Sequence, residues 1–187
     1  YFCLHIKNGK MKDFEELGLS GPLLELIKKS GFTEPSEIQE KTIPLVLRGK
    51  DIIGGSATGS GKTLAFGSGI IESVISGKGL QALILTPTRE LAEQIGKVFK
   101  KFSGYKKLET AIVYGGVNIG HQIRELQKAE IVVGTPGRIL DHLERGTINF
   151  SDLKTLVLDE ADRMLDMGFI KDVEKIIKNT PKNRQTL

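Results

Sequence analysis

The sequence predicts an α/β fold in which a mostly parallel central sheet carries helices on both faces. Continuous apolar runs, rich in β-branched residues, alternate several times with segments of helical periodicity. Apolar runs without polar alternation are typical of strands that are buried on both faces. Strands that alternate with helices join through right-handed crossovers into a parallel sheet.

The predicted strands are short, and helical patterns separate them. The strands are residues 50–54, 80–86, 108–115, 129–135 and 153–160. The helical segments between them end near Gly or Lys, as helices commonly do, and cover residues 62–77, 88–104, 118–128 and 136–146. Residues 183–187 resemble the start of a further strand.

Two more helices are predicted ahead of the first strand, at residues 20–31 and 36–49. The first has Ser20 as a plausible N-cap and a single apolar stripe that includes Leu23 and Ile27. The second contains Pro44, which is expected to bend it. Both are expected to cover the sheet and not to form a second domain.

Length and composition favour one domain. The chain has 187 residues, 39% of them hydrophobic, which suffices for a single sizeable core. Its formal net charge of +4 permits a polyanionic partner. The single cysteine, Cys3, cannot form an intrachain disulfide, and no apolar run approaches the roughly 20 residues that cross a bilayer. We therefore expect no membrane association and a cytoplasmic location. Residues 1–10 are expected to be an extension that precedes a single domain at residues 11–187.

The segment at residues 54–63 reads GGSATGSGKT and lies between a predicted strand and a predicted helix. Gly59 and Gly61 allow backbone amides to turn inward around an anion, and Lys62 can reach the outer phosphates of a nucleotide. The Thr63 hydroxyl is placed to ligate Mg²⁺. A glycine-rich turn without a ligand is the alternative, which the strand-to-helix context disfavours.

Two carboxylates follow the last long apolar run, in the segment LVLDEAD. Asp159 stands at the end of the predicted strand, where it can hold a metal ion that accompanies the phosphates. Glu160 can orient or deprotonate an attacking water, which favours hydrolysis. Solvated loop carboxylates are the alternative, which the glycine-rich segment disfavours.

Together these segments resemble the first RecA-like domain of the DEAD-box RNA helicases, a P-loop NTPase fold. Asp159-Glu160-Ala161-Asp162 resembles the signature of that family, and residues 54–63 resemble its motif I. Four further segments are similar to the Q, Ia, GG and Ib motifs and occur in the expected order. They are residues 31–39, 87–92, 115–116 and 135–138. Six ordered motifs are far more specific than any one of them.

The resemblance implies ATP and Mg²⁺ as cofactors. It assigns catalytic roles to Lys62, Asp159, Glu160 and Asp162, and metal contacts to Thr63 and Asp159. Asp162 is expected to tie the nucleotide site to neighbouring motifs. The residues implied to contact ATP are Phe14, Phe32, Ser36, Gln39, Ser56, Ala57, Thr58, Gly59, Ser60, Gly61, Lys62 and Thr63.

Gln39 has two open interpretations. By resemblance its amide reads the adenine edge, for which a group with both a donor and an acceptor is suited, while Phe14 packs on the base. However, Ser36 and Gln39 also form a capping-box pattern at the start of the second helix, so that the pair could be purely structural.

The chain departs from the family pattern in three places. Ser36 and Glu37 stand where the family prefers Thr and Pro, and Gly55 and Ser56 where it has Gln and Ala. Ser68 and Gly69 replace Leu and Pro. Each glycine within a helix costs up to about 1 kcal/mol relative to alanine, so the sequence predicts reduced local stability after the glycine-rich segment.

RNA is the implied partner, bound through its backbone with little sequence preference. The implied contacts combine glycine amides, hydroxyls and arginine forks, which suit phosphates and not base edges. They are Pro87, Thr88, Arg89, Gly115, Gly116, Thr135, Gly137 and Arg138. Taken singly, residues 135–138 could be an ordinary proline-started helix and residues 115–116 an ordinary turn.

The resemblance also implies a second RecA-like domain, which would contribute arginines to the ATP site and which these 187 residues do not contain. The chain on its own is expected to be monomeric and nearly inactive. Two other functional classes are compatible with a glycine-rich phosphate loop: a small-molecule kinase, for which no acceptor pocket or lid is evident, and a non-catalytic nucleic-acid-binding module with a vestigial nucleotide site. The presence of Lys62, Asp159 and Glu160 argues against the module.

Overall fold

A computed structural model of the chain describes residues 13–55, 57 and 59–187. Its core is a five-stranded sheet in the order β2-β3-β1-β4-β5. Every pair of neighbouring strands is parallel, which confirms the predicted fold class. The strands are β1 Ala82–Leu85, β2 Thr110–Val113, β3 Ile131–Gly134, β4 Thr155–Leu158 and β5 Gln185–Thr186.

Eight α-helices surround the sheet in the described part of the chain, and two short 3₁₀ segments, Phe14–Leu17 and Gly104–Lys106, accompany them. The helices are α1 Gly21–Lys29, α2 Glu37–Leu47, α3 Lys62–Ser73, α4 Arg89–Ser103, α5 Ile119–Leu126, α6 Pro136–Glu144, α7 Ala161–Asp166 and α8 Ile170–Lys178. The sequence did not predict α7 or α8, because both are short and Gly168, in the left-handed conformation at φ 80°, separates them. None of the described helices is long and apolar enough to cross a membrane.

The two faces of the sheet carry separate apolar cores. Alternate residues of β1 point to opposite faces, as the twofold period of a strand requires. Ala82 and Ile84 pack with residues from α1 to α4. Leu83 and Leu85 pack with residues from α5 to α8. All four side chains are fully buried, which explains why the sequence shows continuous apolar runs here.

The prediction of a strand at residues 50–54 is wrong. The segment runs beside β5 and makes one backbone hydrogen bond with it, from Ile52 N–H to Thr186 O at 3.1 Å. Side chains take the other positions: Thr186 N–H donates to Asp51 Oδ1 at 2.7 Å, and Gln185 Nε2 donates to Lys50 O at 2.7 Å. Because the Asp51 carboxylate takes the Thr186 N–H, that group cannot bond to the backbone of residues 50–54, and the segment does not pair with β5 as a strand.

The glycines of α3 allow it to lie close to α2. A Cβ atom at Gly69 would lie 2.6 Å from Val46 Cγ1 of α2, a separation that packed atoms do not reach. Ser68 is fully buried, and its hydroxyl donates to Leu64 O at 2.7 Å. The expectation of reduced stability therefore leaves out the close packing of α2 against α3. A larger residue at Gly69 would push these two helices apart.

We expect Gly69→Ala to destabilise the chain by about 1–2 kcal/mol, because overpacking outweighs the gain in helix propensity. The matched control is Gly67→Ala in the same helix, where an added Cβ would only touch the Phe99 ring at 3.5 Å. That variant should be neutral or slightly stabilising. Urea denaturation measures both, and a loss no greater for Gly69→Ala than for Gly67→Ala would contradict the packing argument.

Candidate functional site

The predicted site residues gather at one edge of the sheet. In a parallel sheet all carboxyl ends of the strands meet at the same edge, where ligands bind. Thr86 follows β1, Tyr114 follows β2, Thr135 follows β3 and Asp159 follows β4. The strand order places Asp159 two strands away from Thr135, with β1 between β3 and β4. The edge therefore has two sides. The side near β4 and β5 carries the residues predicted to bind a nucleotide and is called the nucleotide side, and the second side lies near β2 and β3.

The glycine-rich segment leads directly into α3, whose N-terminal residues are Lys62 and Thr63. Gly59 and Gly61 have φ values of 82° and 90°, left-handed conformations that glycine adopts without a Cβ penalty. The N-terminus of α3 directs the positive end of the helix dipole toward the loop, which favours an anion there. Ser56 and Thr58 lie outside the described residues, and their ATP contacts stay predictions.

Ser36 and Gln39 hold the glycine-rich segment from the start of α2. The Ser36 hydroxyl donates to Ser60 O at 2.7 Å, and Gln39 Nε2 donates to Gly61 O at 3.2 Å. Gln39 Oε1 accepts from Ser36 N–H at 2.9 Å, which is the helix-capping bond. Gln39 is only 2% exposed. The Gln39 amide therefore caps α2 and anchors the loop at the same time.

A cleft of about 990 Å³ opens at the nucleotide side, and Lys62, Asp159, Glu160 and Asp162 all line it. Asp159 is fixed by its N–H, which donates to Leu85 O at 3.0 Å. Burial raises the pKa of Asp159 above its ordinary value, the Lys62 ammonium opposes that rise and the Glu160 carboxylate adds to it. A cation bound beside Asp159 would therefore stabilise the ionised form of its carboxyl group.

The oxygen ligands at this site suit Mg²⁺, but they are too few to bind a metal ion without phosphate or water ligands. No group of three or more His, Cys, Asp or Glu side chains that could hold a metal occurs among the described residues. Mg²⁺ is commonly bound by one or two protein oxygens, with phosphates and waters completing the shell. The Asp159 carboxylate and the Thr63 hydroxyl match that requirement chemically, and their metal contacts stay predictions.

Glu160 has an unusual backbone. Its φ of 53° and ψ of 50° are left-handed, and a residue other than glycine pays on the order of 1–3 kcal/mol for such a conformation. The turn starts α7 and directs the Glu160 carboxylate to Arg163, whose Nη1 donates to Oε2 at 2.7 Å. Arg163 is not among the residues predicted from the sequence, although its i,i+3 spacing from Glu160 indicates that the two side chains can pair.

The two predicted aromatic contacts to ATP differ in accessibility. Phe14 is 2% exposed and belongs to the core that includes α1 to α4. In this conformation its ring supports the fold and presents no free face to a base. Phe32 is 39% exposed, so its ring is available to a ligand. The adenine contact of Phe14 stays a prediction that requires the ring to be uncovered.

The predicted RNA residues come together on the second side of the sheet edge. The Arg89 guanidinium lies against Gly116, where a Cβ would be 2.5 Å from Arg89 Nη1. Arg138 Nη1 donates to Val117 O at 3.2 Å. Segments far apart in sequence thus share one surface.

The predicted RNA contacts differ in exposure. Arg89, Gly116 and Gly137 are exposed, whereas Pro87 is buried and can only shape the turn behind them. The partly exposed members are Thr88, Gly115, Thr135 and Arg138. Thr88 and Thr135 are the N-caps of α4 and α6, and the Thr88 hydroxyl accepts from Leu91 N–H at 3.2 Å.

Comparison with known proteins places these features in a family. The model of the DEAD/DEAH box helicase family matches residues 36–187. The chain is 53% identical over 176 residues to the ATP-dependent RNA helicase CshA of Limosilactobacillus reuteri, covering 93% of this chain and 35% of that protein. It is 49% identical over 179 residues to the DEAD-box ATP-dependent RNA helicase CshA of Geobacillus kaustophilus, covering 95% of this chain and 38% of that protein.

Solved structures agree with the sequence relatives. The crystal structure of a DEAD box protein from Methanococcus jannaschii superposes with a TM-score of 0.91 at 50% identity, over 94% of this chain and 48% of that one. That of a hypothetical ATP-dependent RNA helicase from Sulfolobus tokodaii gives a TM-score of 0.83 at 39% identity, over 90% and 49%. The chain thus spans about a third of the curated relatives' length and about half of each solved chain.

Proposed function

The chain belongs to the DEAD/DEAH box helicase family, and from that premise we propose that residues 11–187 are the first, ATP-binding domain of an ATP-dependent RNA helicase. Joined to its second domain, the protein hydrolyses ATP and separates short RNA duplexes. The observation that carries this proposal is the shared cleft, in which Lys62 of the glycine-rich segment faces Asp159 and Glu160 beyond β4.

The nucleotide side supplies each element that ATP hydrolysis needs from this domain. The α3 N-terminus and Lys62 bind the phosphates, since amides, helix dipole and ammonium all favour negative charge. Asp159 and Thr63 would hold Mg²⁺, which neutralises phosphate charge when it is bound. Glu160 orients the attacking water and accepts its proton. Asp162, exposed at the start of α7, is left for contacts with neighbouring motifs.

The second side of the sheet edge would bind the RNA backbone. Exposed glycine amides and the Arg89 and Arg138 guanidiniums offer donors to phosphate oxygens, and none of these groups forms a base-reading set. Binding with little sequence preference follows.

The adenine role of Gln39 is separable from its capping role by two substitutions. Gln39→Glu keeps an oxygen that can accept from Ser36 N–H but removes the amide donor, whereas Gln39→Ala removes both. We expect both variants to lose the preference for ATP and ADP over GTP and GDP. Gln39→Ala should also lose about 1 kcal/mol of stability, the typical cost of a lost cap. Gln39→Glu keeps the cap, and its loss of stability should come from the carboxylate that is then buried against Gly61 O.

Equilibrium nucleotide binding and thermal unfolding of residues 1–187 test this expectation. The ratio of adenine to guanine affinities cancels any effect of the introduced charge on the phosphates. Equal binding of the two bases by the unmodified chain would disprove adenine recognition. A preference that survives in Gln39→Glu and disappears only with the stability loss of Gln39→Ala would leave Gln39 a capping residue alone.

A further inference from the structure

Gln122 of α5 is a buried polar residue to which the sequence pattern assigns no role. It is 3% exposed, yet its side chain makes three hydrogen bonds to groups outside its own helix. Nε2 donates to Tyr114 O at 3.0 Å. Oε1 accepts from Arg138 Nη1 at 3.2 Å and lies 3.0 Å from His142 Nε2. A buried amide that uses both its ends in this way fixes the distance between the elements it joins.

The orientation of the amide is fixed by its partners. The Tyr114 carbonyl can only accept and the Arg138 guanidinium can only donate, so the nitrogen must face the former and the oxygen the latter. His142 Nε2 then carries its hydrogen toward Gln122 Oε1. His142 is fully buried. Its Nδ1 lies 2.8 Å from Thr147 Oγ1, and the Thr147 hydroxyl donates to His142 O at 3.0 Å. The ring therefore locks the amide in one position.

The hydrogen bonds of Gln122 and Arg138 hold the residues on either side of the Gly115–Gly116 pair. Tyr114 directly precedes Gly115, and its carbonyl is held by Gln122. Val117 directly follows Gly116, and its carbonyl is held by Arg138 at 3.2 Å. The two anchors are themselves joined through Gln122 Oε1. The loop that carries the glycine amides and the arginine at the start of α6 are thus set relative to one another through a single buried side chain.

We propose that Gln122 is a positioning residue for RNA binding, which holds the Gly115–Gly116 loop and Arg138 in one phosphate-binding arrangement without touching RNA itself. The proposal rests on the proposed function of this surface. His142 acts with Gln122, because it supplies the hydrogen bond that keeps Oε1 directed at Arg138. The nucleotide site is not involved, since β3 and β1 separate β2 from β4 in the sheet.

The test compares Gln122→Met with Gln127→Met, a matched substitution at an exposed position at the end of α5. The protein is the chain together with its second domain, and the probe is a labelled single-stranded oligouridylate with a non-hydrolysable ATP analogue. Gln122→Met should weaken RNA affinity about fivefold to tenfold, the range expected for one or two lost positioning bonds. The Kd for ADP should change less than about twofold, and Gln127→Met should change neither.

A second variant guards against loss of the fold. Gln122→Glu keeps the shape and the acceptor for Arg138 but cannot donate to the Tyr114 carbonyl, and it should also weaken RNA binding. The amide resonances of Gly115 and Gly116 should shift in both Gln122 variants. Lower thermal stability with unchanged RNA affinity in both would show a purely structural role and overturn the proposal. Absence of RNA binding by the unmodified protein would instead reject the proposed function.

Discussion

Replacing Glu160 with glutamine is expected to slow ATP hydrolysis about 10²–10⁴-fold in the protein that contains this chain and its second domain. The substitution keeps the size and shape of the side chain while removing the group that accepts the proton of the attacking water. Lys62, Thr63 and Asp159 are untouched, so ATP should bind with nearly unchanged affinity. Single-turnover hydrolysis and equilibrium binding of a fluorescent ATP analogue separate the two quantities.

Two control variants isolate the role of the carboxylate. Arg163→Gln removes the hydrogen bond at 2.7 Å to Glu160 but leaves the carboxylate in place, and it should retain most of the hydrolysis rate. Lys62→Ala should weaken ATP binding itself. If Glu160→Gln turned over at the normal rate, Glu160 could not be the residue that activates water.

The chain alone is expected to show almost no RNA-stimulated ATP hydrolysis and no duplex separation. An arginine that neutralises charge on the transferred phosphate contributes about 10³–10⁵ in rate in enzymes of this kind. The described residues that line the cleft include Arg163 and Arg184. Arg163 is paired with Glu160, and Arg184 Nη1 donates to Pro181 O at 2.7 Å. We therefore expect the missing arginine to come from the second domain.

The measurement is an ATPase and strand-release assay on residues 1–187 and on the same chain joined covalently to its second domain, each with and without RNA. Adenine nucleotide should bind weakly to the shorter protein, and RNA should accelerate turnover only in the longer one. The Glu160→Gln form of the longer protein serves as the inactive control. Vigorous RNA-stimulated unwinding by residues 1–187 would contradict the proposal that two domains complete the site.

The sequence determined the sheet and the location of the site. Apolar runs of β-branched residues indicate burial on both faces, so the strands from β1 to β4 could be assigned, although the same pattern also predicted a strand at residues 50–54 that does not form. Parallel topology then requires residues such as Asp159 and Thr135, which directly follow strands, to meet at one edge. These inferences need only local pattern and chain order.

Tertiary structure decided which groups meet across elements, and periodicity carries no such information. Residues 50–54 do not form a strand, because the Asp51 carboxylate accepts the Thr186 N–H. Gly69 is favoured because Val46 of another helix lies where a Cβ would be. Gln122 looks like any polar helical residue until the fold buries it between Tyr114 O and Arg138. Each outcome depends on distances of a few ångströms between segments remote in sequence, and those distances exist only once the chain has packed.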